Sequence, residues 1–142
     1  MEENINALDE ISKGSSMGMD AIKFILDKTD DNNLRKEIES EYKEYEEILQ
    51  EVEKIYHKYN DGKPNKTNAM NKAMTWSGIE MKTFNDTSTS KLAELLIQGV
   101  NMGIIEGRRI LNKKNIDNEV EKIVQKFETM QERNLDNLKK YL

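Results

Sequence analysis

There is no cysteine in the chain, which excludes disulfide staples, thiolate nucleophiles and thiolate-held metals. A single histidine, His57, leaves little for imidazole chemistry. A Ser–His–acid triad would have to use it. A bundle-type di-iron centre would need a Glu-x-x-His on each of two helices, and no Glu stands three residues before His57; Glu53 lies four before. The one proline, Pro64, sits in the loop-forming run Asn60–Asn65. No apolar run approaches the roughly 18 residues of a membrane span, and the acidic start MEENINALDE resembles neither a signal nor a transit peptide. A cytoplasmic location is therefore expected. Strand signals are missing too, because no β-branched alternation runs beyond a few residues. Without strands, no Gly-rich phosphate loop can follow one.

What the chain has is helix-forming sequence with heavily charged faces. Hydrophobic residues are 36% and charged residues 35% of 142, with a formal net charge of -5. Acids and bases are interspersed, so neither nucleic acid nor an anionic membrane is an expected partner. The length suits one domain with a real core. Apolar spacing predicts five helices. The first covers 4–27, with Leu8, Ile11, Gly14, Gly18, Ala21 and Ile25 on one face. The second covers 31–59, N-capped by Asp31, with Leu34, Ile38, Tyr45, Leu49, Val52 and Tyr56 as its stripe. The third, 66–84, carries Met70, Met74, Ile79, Met81 and Phe84. The fourth, 89–112, is capped by Ser88 or Thr87. The fifth, 116–141, starts near Asp117 and presents Val120, Val124, Phe127, Leu138 and Tyr141.

The chain also repeats itself. Gly14–Leu26 aligns at constant shift with Gly99–Leu111, matching both glycines, a methionine and the closing Ile-Leu. Each segment leads into a polar turn and a long charged helix. The expected fold is an all-α single domain of two related hairpins, 4–59 and 88–142, joined by a crossover helix within 60–87. Helix two would be roughly 42 Å long at 1.5 Å per residue, and 60–87 can run back along it.

Glycine inside a helix costs about 1 kcal/mol against alanine. Gly14, Gly18, Gly99 and Gly103 are accordingly read as helix-contact positions that bring helices one and four close together. Helix four is apolar over more than half its circumference, so either helix three or a second subunit must cover the surplus, and a homodimer through 88–112 is expected. Trp76 and the methionines at 17, 70, 74, 81 and 102 are expected to pack inward, and Asp20 to lie on the surface. Glu41, Tyr45, Gln131 and Asn134 fall on inward faces, and Glu106 lies on the glycine face of helix four. An interior hydrogen-bonded layer is the expected role of these polar groups. Glu41 and Glu106 are weak metal candidates, since two carboxylates without imidazole could hold Mg²⁺ or Mn²⁺ only with several waters. By residue count Glu106 and Gln131 are not expected to share a site. No cofactor and no catalytic residue is expected.

Three segments carry a resemblance: Ser16–Ala21, Ser88–Gly99 and Asn101–Ile105. They resemble a family of uncharacterised bacterial proteins built as ferritin-like four-helix bundles. That resemblance implies the same frame over nearly the whole chain and, by analogy alone, a metal or redox ancestry. This chain has Gln131-x-x-Asn134 on helix five, where a metal-binding relative would offer Glu-x-x-His. The reading is of a non-catalytic structural or partner-binding homodimer, with a degenerate metal-binding or oxidase-type bundle as the alternative and a small-ligand pocket lined by Met and Tyr45 as a third.

Overall fold

Three of the helices begin where a short polar side chain takes up orphan backbone N–H groups. In the computed structural model, which describes residues 2–142, α1 spans Glu2–Leu26, α2 Asn32–Tyr56, α3 Ala69–Thr83, α4 Thr89–Lys113 and α5 Asn118–Lys139. The Asp31 carboxylate accepts from the N–H groups of Asn33 and Leu34 and starts α2. Asn68 and Asn71 form a reciprocal capping box at α3. The Ser88 hydroxyl accepts from Lys91 N–H at α4. At α5 Asp117 takes the cap position without a side-chain cap bond. Instead its N–H donates to Asn4 and its carboxylate accepts from Tyr59. Between α4 and α5, Lys114 adopts a left-handed conformation with φ 53° and ends the helix. The described residues are all-helical, without a strand, and none of their helices is long and apolar enough to cross a membrane.

Ion pairs fix the helix directions. On the α2–α5 seam Glu44 pairs with Arg133, Glu51 with Lys126 and Lys58 with Glu119. The α2 partners advance by seven as the α5 partners retreat by seven, so these helices are antiparallel. Exposed pairs of this kind stabilise by only about 0–1 kcal/mol each; they report register more than they hold it. The short turns make α1–α2 and α4–α5 antiparallel as well. Hence α4 runs parallel to α2, and the connection between them must cross the length of the bundle. It climbs along α1. Asn65 N–H donates to Asp9, Thr67 bonds Ser16 and Asp20, and Lys28 pairs with Glu80.

The core is one cluster fed by all five helices. Leu8, Ile11, Leu34, Ile38, Val52, Leu92, Val124, Phe127 and Leu138 are essentially inaccessible. Ile48 is buried where Leu49 was expected, a shift of one residue around α2. Burial of such side chains gives roughly 1.5–3 kcal/mol apiece, which is the main stabilisation of the helices.

Several expectations fail, each for a geometric reason. Asp20 is buried rather than on the surface, because the crossover folds over it and Thr67 donates a 2.7 Å hydrogen bond to its carboxylate. Met70, Met74, Met81 and Phe84 are exposed, as is Met102 on α4, and Trp76 is half-exposed. At 100° per residue Ile79 stands on the opposite side of α3 from Met70, Met74, Met81 and Phe84. The helix turns Ile79 and Thr83 inward and leaves the larger apolar face outside.

The glycines also act differently from expectation. A Cβ on Gly18 would meet the Tyr45 ring at 2.6 Å, and one on Gly103 would meet Gln131 Nε2 at 2.5 Å. These glycines admit side chains from α2 and α5 instead of bringing the α1 and α4 backbones together. Gly14 faces Phe127 at 3.4 Å, an ordinary contact, and Gly99 has nothing within 4 Å. The close approach expected at Gly99 is absent because Tyr45 and Gln131 hold the space between α1 and α4.

Opposite effects are therefore expected from one substitution at two of these sites. Gly99→Ala should stabilise the fold by about 1 kcal/mol through helix propensity alone. Gly18→Ala should destabilise it by about 1–3 kcal/mol, because the ring must move in a packed interior. Urea unfolding of both variants checks the pair, and equal shifts would contradict the wedge geometry.

Candidate functional site

The repeat places its matched residues around one opening. Gly14, Met17, Gly18 and Ala21 of α1 face Gly99, Met102, Gly103 and Glu106 of α4 across a cleft of about 500 Å³. The third wall is α3, through Met74, Gly78, Ile79 and Lys82. It packs on α1 and barely touches α4, so the α3–α4 side stays open. The floor comes from α2 and α5: Glu41, Tyr45, Phe127 and Gln131. That volume falls in the range of small-molecule sites, roughly 300–1,000 Å³.

A hydrogen bond lies across the floor. Tyr45 Oη donates to Gln131 Oε1 at 2.8 Å, and both residues are buried. Burial pushes the Tyr45 hydroxyl above its usual range, so it stays protonated and remains a donor. Gly18 accommodates Tyr45 and Gly103 accommodates Gln131. Gly18 and Gly103 are repeat mates, and each admits a residue from the helix that follows it. Twenty-seven positions separate Gly18 from Tyr45, and twenty-eight separate Gly103 from Gln131. The bond therefore joins the second helices of the two hairpins.

One turn further along the same faces of α2 and α5 stand Glu41 and Asn134. Glu41 is 2% exposed and Asn134 is fully buried. Glu41 Oε2 and both amide atoms of Asn134 have no hydrogen-bond partner in the protein. An unpaired buried polar group costs roughly 1–3 kcal/mol, so this layer is the least satisfied part of the interior. Desolvation raises the Glu41 carboxyl from its ordinary value of 4.5 to about 10. The hydrogen bond that Glu41 donates to the Glu37 carboxylate and the charges of Glu37 and Glu44 add to the rise, and Arg133 opposes it. At neutral pH Glu41 is thus a neutral carboxylic acid. Ser12 and Ser15 of α1 also bury hydroxyls without partners. Below the cleft, Gly107 lets α4 approach the backbone of α5 at Glu128, whose carboxylate accepts from Arg108 at 2.7 Å.

Comparison with protein-family models, curated proteins and solved structures returns no match. The site has to be read from its own chemistry.

The residues singled out from sequence separate into three places. Glu41, Tyr45 and Gln131 converge on the cleft floor, with the four glycines and Glu106 around it. Glu106 and Gln131 share the cleft, contrary to the expectation from residue count, because Gly103, one turn before Glu106, packs directly on Gln131. Glu106 is nevertheless a rim residue, half-exposed and paired with Arg109 at 3.5 Å, not an interior group. Asn134 is buried outside the cleft lining. His57 is exposed beyond the end of α2. Among the described residues no group of three or more His, Asp or Glu side chains is placed to hold a metal ion, and a protonated Glu41 is a poor ligand. Sequence reading offered a pocket lined by Met and Tyr45 but missed that it opens between α1, α3 and α4, with Met17, Met74 and Met102 in its walls. The signal available was the repeat, since the aligned pairs Gly14/Gly99, Met17/Met102, Gly18/Gly103 and Ala21/Glu106 face the same opening.

Two outcomes are expected of the floor. Tyr45→Phe should leave Gln131 without its donor and cost about 1–3 kcal/mol, read as a drop in unfolding free energy without change of helical content. Glu41 is raised on folding, so its contribution is fully present below the ordinary carboxylate value and is lost as pH climbs towards about 10. Wild-type stability should fall relative to Glu41→Gln across that window, by on the order of a few kcal/mol. Denaturation curves at pH 4, 7 and 9 check the sign. A constant difference between the two proteins would contradict it.

Proposed function

We propose that this chain is a non-catalytic, partner-binding helical bundle that acts as a homodimer through the surface made by α3 and α4. The observation that carries the reading is the apolar surface left outside the fold. Phe84 is 83% exposed, Met81 77%, Met70 73%, Met74 67% and Met102 62%. Trp76 and Ile105 are half-exposed beside them. Isolated apolar side chains on a surface need no explanation, but a contiguous set on one helix face does. Met74 and Met102 line the same cleft, so the surface continues from α3 to α4 across its mouth.

A second copy fits this surface on two grounds. Methionine and aromatic side chains adapt to one another, and such surfaces are enriched at interfaces. The flanks carry both signs, with Glu80 and Glu94 near Lys82 and Lys91. A two-fold interface sets one flank against its own copy in reverse order, which requires this mixed pattern. The helix directions, two antiparallel hairpins joined by one long crossover, support placing the chain with ferritin-like bundles. A cytoplasmic, bacterial setting belongs to the same proposal.

Light scattering coupled to size exclusion tests it. The wild-type chain should run at twice its 16.6 kDa mass at micromolar concentration. Met81→Glu with Phe84→Glu should run as a monomer with unchanged helical content, since both side chains lie outside the core. A monomeric wild type at all accessible concentrations would overturn the homodimer.

A further inference from the structure

The cleft between α1, α3 and α4 has a feature that surface apolarity does not explain. Its walls are largely hydrocarbon and thioether, but one end of its floor is a buried carboxyl group, bonded to Glu37 and left with one oxygen unpaired. Glu41 is 98% removed from solvent by its 2% exposure, lines the cleft, and leaves Oε2 unpaired. Burying a carboxyl in this way is unfavourable unless something pairs with it.

The surrounding charges decide what could pair with it. From its own helix Glu37 and Glu44 bear on Glu41, both acidic. From α5 Arg133 does so, and Arg133 is already paired with Glu44. Tyr141 lies near enough to feel its charge. The cleft adds Glu10 and Lys13 from α1, Lys82 from α3 and Glu106 from α4. Of these, Glu106 is paired to Arg109, and Lys82 Nζ donates to Gln98 Oε1 at 3.4 Å. No cation of the protein pairs with Glu41 itself. Beside it, Tyr45 Oη has given its proton to Gln131 and keeps a lone pair for a second donor. The polar floor thus offers two acceptors within one helical turn of each other on α2.

We propose that this cleft binds a small amphipathic amine, with its ammonium group on Glu41 and Tyr45 and its hydrocarbon body against Ile22, Ile25, Leu96 and Val100. All six residues line the cleft. An ammonium has three N–H donors and no acceptor, which matches the floor. A carboxylate ligand would bring a fourth acid against Glu41, Glu37 and Glu44. An alcohol could bond the neutral Glu41 carboxyl but would gain no ion pair from it. In a site removed from water the ion pair is strong, and it requires Glu41 to ionise. Since the Glu41 carboxyl is protonated at neutral pH, binding of an ammonium releases that proton to solvent. The open α3–α4 side supplies the entry path. This inference does not rest on self-association, because it concerns the floor of the cleft and not its outer surface.

Octylammonium, octanol and octanoate, each below its aggregation limit, test the proposal by isothermal titration calorimetry at pH 7. Titrations in two buffers of different ionisation enthalpy count protons. Octylammonium should bind one per chain, at least tenfold tighter than either competitor, with release of about one proton. Glu41→Gln should abolish the proton release and weaken octylammonium at least tenfold while leaving octanol unchanged. Gly99→Leu provides a second variant that does not disturb the floor, since nothing lies within 4 Å of that glycine. It should block all three ligands without lowering the melting temperature. Equal affinity for octanol and octylammonium, binding without proton release, or binding undiminished in Gly99→Leu would each overturn the proposal. So would the absence of octylammonium binding by the wild-type chain.

Discussion

The hydrogen bond between Tyr45 and Gln131 sets the spacing of the whole bundle. Two long helices, α1 and α4, carry glycines where their faces meet, and glycine pairs usually signal backbones in contact. Here the space is occupied instead by a phenol ring over Gly18 and an amide over Gly103. Their 2.8 Å bond ties α2 to α5 and forms the floor beneath α1 and α4. The cleft lies above that floor, where α1, α3 and α4 surround it. α3 lies against α1 with its stronger apolar face outward, and the gap it leaves beside α4 opens the cleft.

The same wedge explains why the polar interior is unevenly satisfied. At the Tyr45 layer a donor meets an acceptor in good geometry. One turn away, Glu41 and Asn134 occupy equivalent inward positions without such a match. A structure that only needed to fix helix register could use the first layer alone. The second layer costs stability, and its retention in the interior is best understood through something that enters the cleft.

Much of the architecture was legible in the sequence. Helix extents, the capping residues Asp31 and Ser88, the loop around Pro64 and the crossover through 60–87 all follow from local signals, and local signals act over one or two turns. The inward placement of Glu41, Tyr45, Gln131 and Asn134 was legible as well, since periodicity alone gives the face. What periodicity could not give is which neighbour a face meets. Asp20 looks like surface until a loop from elsewhere in the chain lays Thr67 on it. Met70, Met74, Met81 and Phe84 look like core because they are apolar at helical spacing, yet Ile79 and Thr83 point the other way and win the contact with α1. Glycine spacing showed that something approaches closely, without showing whether it is a backbone or a ring.

The repeat has one more implication. If two separate, identical hairpins came together about a two-fold axis, whatever residue lay on that axis would face its own copy. A tyrosine would meet a tyrosine and a glutamine a glutamine, and neither pair need align as donor to acceptor. Linking the halves in one chain removes that restriction. The two sides of the axis are free to differ, and they do: phenol on one, amide on the other, with Glu41 near the first and Asn134 near the second. A cleft built by a repeat is thereby given a polarity along its length, and an entering molecule has one preferred way round.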